Sequence, residues 1–164
     1  MRNNIYIFMN LPPHISKIGL FTGQMYLIGA VYHIYKSCVS CKKQTNLAII
    51  CAVVYASTMV HWHNIKTSGI AKTVDMITAL ITGLFVSFYE SCKWNPIYGG
   101  REMWISVLLL GIVTYVVNTA ILTVPIFPCI DIDGLQLITT VTHTFWLHIM
   151  TNLTVMWSVW CESA

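Results

Sequence analysis

Residues 103–127 read MWISVLLLGIVTYVVNTAILTVPIF, 25 positions without one Asp, Glu, Lys or Arg. A helix rises about 1.5 Å per residue and the hydrocarbon core of a bilayer is about 30 Å thick, so such a run crosses a membrane with some tilt. Pro125 and Pro128 mark its end, because neither can continue a helix. Four further apolar runs flank it, at 15–35, 47–62, 70–89 and 135–160. Turn-forming or charged stretches separate them, among them the basic loop with Lys36, Lys42 and Lys43 and the acidic loop Asp131-Ile132-Asp133-Gly134. The expectation is an all-α, polytopic transmembrane helical bundle of about five helices, and up to seven if the long runs divide. All 164 residues form one domain, with no linker, repeat or heptad to split them.

Composition agrees with this and excludes other classes. Hydrophobic residues make up 56% of the chain and charged residues 9%, against about 25% charged in a soluble globule. The formal charge is +3, and no basic run exceeds the pair Lys42-Lys43, so there is no footprint for a phosphate backbone. Membrane lipids are therefore the expected partners, nucleic acid is not, and protein partners stay open. The apolar patch at 5–9 stops at Asn10-Leu11-Pro12-Pro13, short of a signal-peptide core. The basic first loop and acidic fourth loop favour an outside amino terminus and a cytosolic carboxyl terminus.

Six cysteines are scattered without a disulfide framework. Cys38 and Cys41 have the two-residue gap of a zinc knuckle or redox pair but no second pair follows, and they read as free or palmitoylatable thiols beside a helix end. The tryptophans near the run ends, Trp62, Trp94, Trp104, Trp157 and Trp160, read as an interfacial belt. Asn152-Leu153-Thr154 matches a glycosylation pattern but lies inside the last apolar run, out of reach of the transferase.

Ionisable side chains are costly inside hydrocarbon, about 2.5 to 3.5 kcal/mol for Asp, Lys or Arg on insertion scales, so the few in these runs carry the functional information. The second run contains Ser57, His61 and His63, the third starts with Lys72 and Asp75, and the last holds His143 and His148. Three imidazoles and a carboxylate on three helices are the raw material of a catalytic zinc site. At about 100° per residue Ser57 and His61 share one face, whereas His63 falls on the opposite side and reads as interfacial. His143 and His148 are five apart, which is about 140° on a regular α-helix; a local π-bulge would close that gap. Asp75 has two readings, a helix-start carboxylate paired with Lys72, or the head of a polar stripe with Thr78 and Thr82 facing a pocket. His14 and His33 have no partners in sequence and are assigned no role.

The order Ser57-x-x-x-His61, then Asp75, then a late helix with a His pair around an aromatic residue resembles the CREST superfamily of membrane hydrolases. That superfamily comprises alkaline ceramidases, progestin and adiponectin receptors, Per1-type GPI remodelling enzymes and the myomaker and transmembrane protein 8 group. The resemblance implies a zinc ion held by His61, His143 and His148, with Ser57 and Asp75 serving the attacking water and a lipid amide or ester as substrate. Two departures are visible. The family's last motif is H-x-x-x-H, and with His148 as its second His the first position here is Thr144, with His143 displaced by one. The family also has seven helices where about five are read here. A zinc-dependent lipid amidase or esterase is the leading expectation. The alternatives are a nonenzymatic member acting in membrane remodelling or partner binding, and a transmembrane b-type cytochrome with His61 and one late His as axial ligands.

Overall fold

The computed structural model describes residues 13–39, 44–63, 68–123 and 132–162. The expectations resting on Cys41, Lys42, Lys43, Pro125, Pro128 and Asp131, and on the patch at 5–9, lie outside the described residues. Within them every regular element is helical: α1 (Pro13–Val39), α2 (Thr45–His63), α3 (Ser68–Phe85), α4 (Gly100–Thr123), α5 (Ile132–Thr144) and α6 (Thr151–Cys161). A π-helical segment, Phe145–Met150, joins α5 to α6 in one continuous rod, so the described residues form five rods. Another π segment, Val86–Glu90, and a 3₁₀ turn, Ser91–Lys93, prolong α3. Residues 132–134 belong to α5 rather than to a loop, as do residues 100–102 to α4.

Among the described residues three helices are long and apolar enough to cross a membrane: Thr45–His63, Ile70–Lys93 and Gly100–Ile121. Their outward faces are apolar and uncovered, with Leu80, Ile81 and Leu84 exposed on α3 and Leu109, Val113 and Val116 exposed on α4. A surface of that size and chemistry needs an apolar surrounding. α1 and the α5–α6 rod carry most of the buried polar side chains, including Thr22, His33, Thr139, Thr144, His148 and Asn152.

α1 is the central helix, packed along α2 on one side and the α5–α6 rod on the other. Its glycines allow the close approach, as small residues do wherever helices associate by van der Waals contact. A Cβ at Gly19 would collide with the Trp62 ring, and one at Gly29 would lie 2.9 Å from Asn152 Oδ1 and 3.3 Å from Cys51 Sγ. Ser16 adds a hydroxyl bond of 2.6 Å to the Trp62 carbonyl. Gly19→Ala is therefore expected to lower stability by about 1 to 3 kcal/mol, readable as a drop in the thermal unfolding temperature in detergent. An unchanged transition would mean that the helices part easily at Trp62.

The apolar core sits at one end of the bundle, where Leu47, Val86, Trp94, Trp104, Val155 and Val159 cluster. This corrects the reading of the tryptophans as one belt. Trp62, Trp94 and Trp104 are buried, and Trp104 Nε1 donates to Ser87 Oγ at 3.0 Å; only Trp157 and Trp160 among the five face outward. Bulky rings fill the wide spaces between rods at the helix ends, and hydropathy alone cannot tell such a ring from an interfacial one.

Candidate metal and acid-base site

The opposite end of the bundle is polar. α2 and α3 meet there through Asp75, whose Oδ1 accepts from Ser57 Oγ at 3.0 Å and from Thr58 Oγ1 at 2.9 Å. Ser57 Oγ also lies 3.0 Å from the Val54 carbonyl, and its single hydrogen serves the carboxylate, the stronger acceptor. Both hydroxyls use Oδ1, which leaves Oδ2 to engage another group. Of the two readings of Asp75, the structure favours the inward-facing one: its described hydrogen bonds come from α2, while Lys72 is exposed. Thr58, only 1% exposed, is a partner that sequence spacing alone did not single out.

The late helix brings its two imidazoles together. The π segment between them widens the turn, and the His143 and His148 rings meet edge to face with centroids 5.8 Å apart. Two imidazoles on one zinc, at Zn–N distances of about 2.0 to 2.1 Å, have ring centres separated by roughly 5 to 6 Å, so the pair has the spacing of shared ligation. His148 is buried and its Nδ1 lies 3.1 Å from Thr22 Oγ1 of α1. Thr22 Oγ1 also lies 2.9 Å from the Ile18 carbonyl, so the contact can be made with His148 Nδ1–H as donor and the Thr22 hydrogen turned back to that carbonyl. In that tautomer the Nε2 lone pair would be the one available to a ligand. Tyr26 lies against the other side of the same ring, with centroids 5.5 Å apart.

His61 belongs to this neighbourhood. It stands on α2 one turn after Ser57, the residue that donates to Asp75. Its ring packs on Trp62, and its Nδ1 is buried without a hydrogen-bond partner. An orphaned buried imidazole nitrogen costs free energy unless something satisfies it, and a metal ion would. His63 is exposed, as its position two residues on requires. Thr144, at the place of the family's first late His, spends its hydroxyl on the carbonyls of Thr140 and Val141.

The donor set suits zinc in kind: three imidazoles and a carboxylate, with His148 buried and His61, Asp75 and His143 partly buried. In position it is incomplete, since among the described residues no three of His, Cys, Asp and Glu converge as a ready metal-holding group. His143 and His148 stand ring to ring, and His61 would have to turn toward them for three imidazoles to meet.

Sequence reasoning also missed Thr22, Tyr26 and the burial of His33. His33 is 1% exposed and neither ring nitrogen has a hydrogen-bond partner, yet nothing in its sequence neighbours marks it as interior. Asn152 of the glycosylation pattern is buried, and its Nδ2 donates to the His148 carbonyl at 2.8 Å. Thr22→Val is expected to weaken zinc binding about 10-fold by removing the hydroxyl that holds His148 Nδ1, measured by competition with a chromogenic chelator. Wild-type affinity in that variant would show that the ring orients itself without Thr22.

No family model, curated protein or solved structure matches this chain.

Proposed function

We propose that the protein is a multi-pass integral membrane hydrolase that cleaves an amide or ester bond of a lipid with the help of zinc. The observations that carry this reading are a positioned carboxylate, Asp75 held by Ser57 and Thr58, the ring contact of His143 with His148, and the buried nitrogen of His61 that has no hydrogen-bond partner. Such a combination inside an apolar bundle is expensive and is characteristic of a working site. His61, His143 and His148 would hold the metal. Zinc bound there would supply a water of pKa about 7 and a Lewis acid for the carbonyl. Asp75 Oδ2 takes the proton of the attacking water and returns it to the leaving amine or alcohol, while Ser57 and Thr58 keep the carboxylate aimed.

A lipid substrate agrees with the surroundings. One helical turn from the polar cluster lies an apolar cavity of about 80 Å³, walled by Val54 of α2, Ala79 and Gly83 of α3, Leu108 of α4 and Leu147 and Thr151 of the last rod. Val54 precedes Thr58 by one turn, Ala79 follows Asp75 by one turn and Leu147 adjoins His148, so the near end of the cavity lies beside the polar cluster, while Leu47, Val86, Trp104 and Val155 of the apolar core line its far end. The substrate would enter sideways from the bilayer.

A second reading, a nonenzymatic membrane protein built on the same bundle, is favoured by the incomplete convergence of donors. Metal analysis and a hydrolysis screen on detergent-purified protein separate the two. About one zinc per chain together with release of fatty acid from lipid amides or esters is the expected result. Zinc without hydrolysis supports the nonenzymatic reading, and an intense Soret band in place of zinc overturns both.

A further inference from the structure

The π segment that brings the two late imidazoles together leaves a backbone carbonyl to be accounted for. In an α-helix the Thr151 amide would bond the Leu147 carbonyl, four residues back. Here it bonds the Trp146 carbonyl, five back. The Leu147 oxygen thereby loses its α-helical partner inside an apolar bundle, where an unsatisfied carbonyl is costly. It accepts instead from two hydroxyls, Tyr26 at 2.7 Å and Thr151 Oγ1 at 2.6 Å. The Thr151 bond is local to the rod. The Tyr26 bond reaches across from α1, the same helix whose Thr22, one turn earlier, orients His148. On the opposite side the Leu147 side chain packs against α4 at Gly111, where a Cβ would collide with it.

We infer that Tyr26 is a positioning residue: by donating to the Leu147 carbonyl it holds the last rod in its π register and so keeps His143 and His148 at shared-ligand spacing. With the register relaxed to α, residues five apart lie about 140° round the helix, and one imidazole leaves the site. The phenol thus acts on the ligand pair through the backbone, without itself touching a metal. For the part concerning ligation, the inference rests on the zinc reading above; the part concerning register does not.

Four proteins test it: wild type, Tyr26→Phe, a deletion of Phe145, and the two changes combined. Tyr26→Phe removes one hydroxyl and keeps the ring that packs on His148. Phe145 is 44% exposed on the outer face, and its deletion shortens the His spacing to four, which a regular α-helix carries on one face without a π segment. The first measurement is zinc affinity. Tyr26→Phe should bind zinc about 10-fold more weakly than wild type, the size expected for loss of an outer partner. In the deletion background the same substitution should cost less than about 2-fold, because no freed carbonyl remains to be held. A purely structural role for Tyr26 would give equal losses in both backgrounds, and that result overturns the inference.

The second measurement is amide hydrogen exchange over residues 146–152 in metal-free protein. Tyr26→Phe should speed it about 10-fold in the wild-type background and not in the deletion. If wild type binds no zinc, the zinc reading fails while exchange still decides the register. Equal exchange in wild type and Tyr26→Phe overturns the positioning role whatever the metal content. Should the deletion fail to fold, Thr151→Val, which removes the other hydroxyl on the same carbonyl, is expected to reproduce the Tyr26→Phe effects on affinity and exchange, and its failure to do so counts against the inference.

Discussion

Asp75→Asn is expected to lower hydrolysis of lipid amides or esters by about 10²-fold or more, with zinc content and fold near normal. The amide has the shape of the carboxylate, and its oxygen can still accept from Ser57 and Thr58, which donate at 3.0 and 2.9 Å. What it lacks is a second oxygen able to take a proton. Positioned proton transfer contributes about 10²- to 10⁴-fold to a rate, so its loss dominates the effect. Were Asp75 only a carboxylate near the start of α3, favoured by the helix dipole and a neighbouring lysine, the variant would lose about 0.3 to 1 kcal/mol of stability and keep its rate. Turnover of the purified variant against a fluorogenic lipid amide, alongside its thermal transition and zinc content, separates the cases. Normal turnover would remove Asp75 from the reaction.

Ser57→Ala and Thr58→Ala bear on the same point more weakly. Each removes one of two donors to the same carboxylate oxygen, so either alone leaves the group partly aimed and should reduce the rate less than Asp75→Asn does. The two together should approach it, since the carboxylate then has no described donor to fix its rotamer.

Hydropathy made the rods legible because a chain in an apolar solvent must satisfy its backbone internally, and uninterrupted apolar runs leave helices as the answer. The bounds shifted by only a few residues, as with the run at 15–35 that became Pro13–Val39. The five-residue spacing of His143 and His148 was informative in its misfit. Two imidazoles on one rod at a non-helical interval can share a face only across a widened turn, and Phe145–Met150 is one. The shared face of Ser57 and His61 was likewise readable, because it depends on one helix only.

What spacing could not deliver was every role that depends on which helices touch. Thr58 stands next to Ser57 in sequence but about 100° round the helix, and only the placement of α3 shows that both reach Asp75. Thr22 and Tyr26 look like ordinary polar residues of an apolar first helix until α1 is found lying along the last rod. The buried rings of Trp62 and Trp104 are of the same kind: the glycine that admits Trp62 is Gly19, 43 positions away in sequence.

His148→Ala should lower zinc affinity by more than about 100-fold, beyond the roughly 10- to 100-fold cost of losing an outer partner, because it removes a ligand itself. The ring is buried, its Nδ1 is committed to Thr22, and it stands against both His143 and Tyr26, so the freed volume holds no substitute donor among these neighbours. His61→Ala should do the same if that imidazole turns in as the third ligand. His63→Ala, at an exposed position, should leave affinity within about 2-fold of wild type. His33→Ala is the informative control for burial: His33 is as buried as His148, but it lies eleven residues beyond Thr22 on α1, roughly 16 Å along the helix. Its loss should move stability and leave zinc unchanged. Equal zinc affinity in all four variants would mean that the imidazoles serve helix packing alone, whereas loss confined to His61→Ala and His148→Ala would establish that two rods close on one ion.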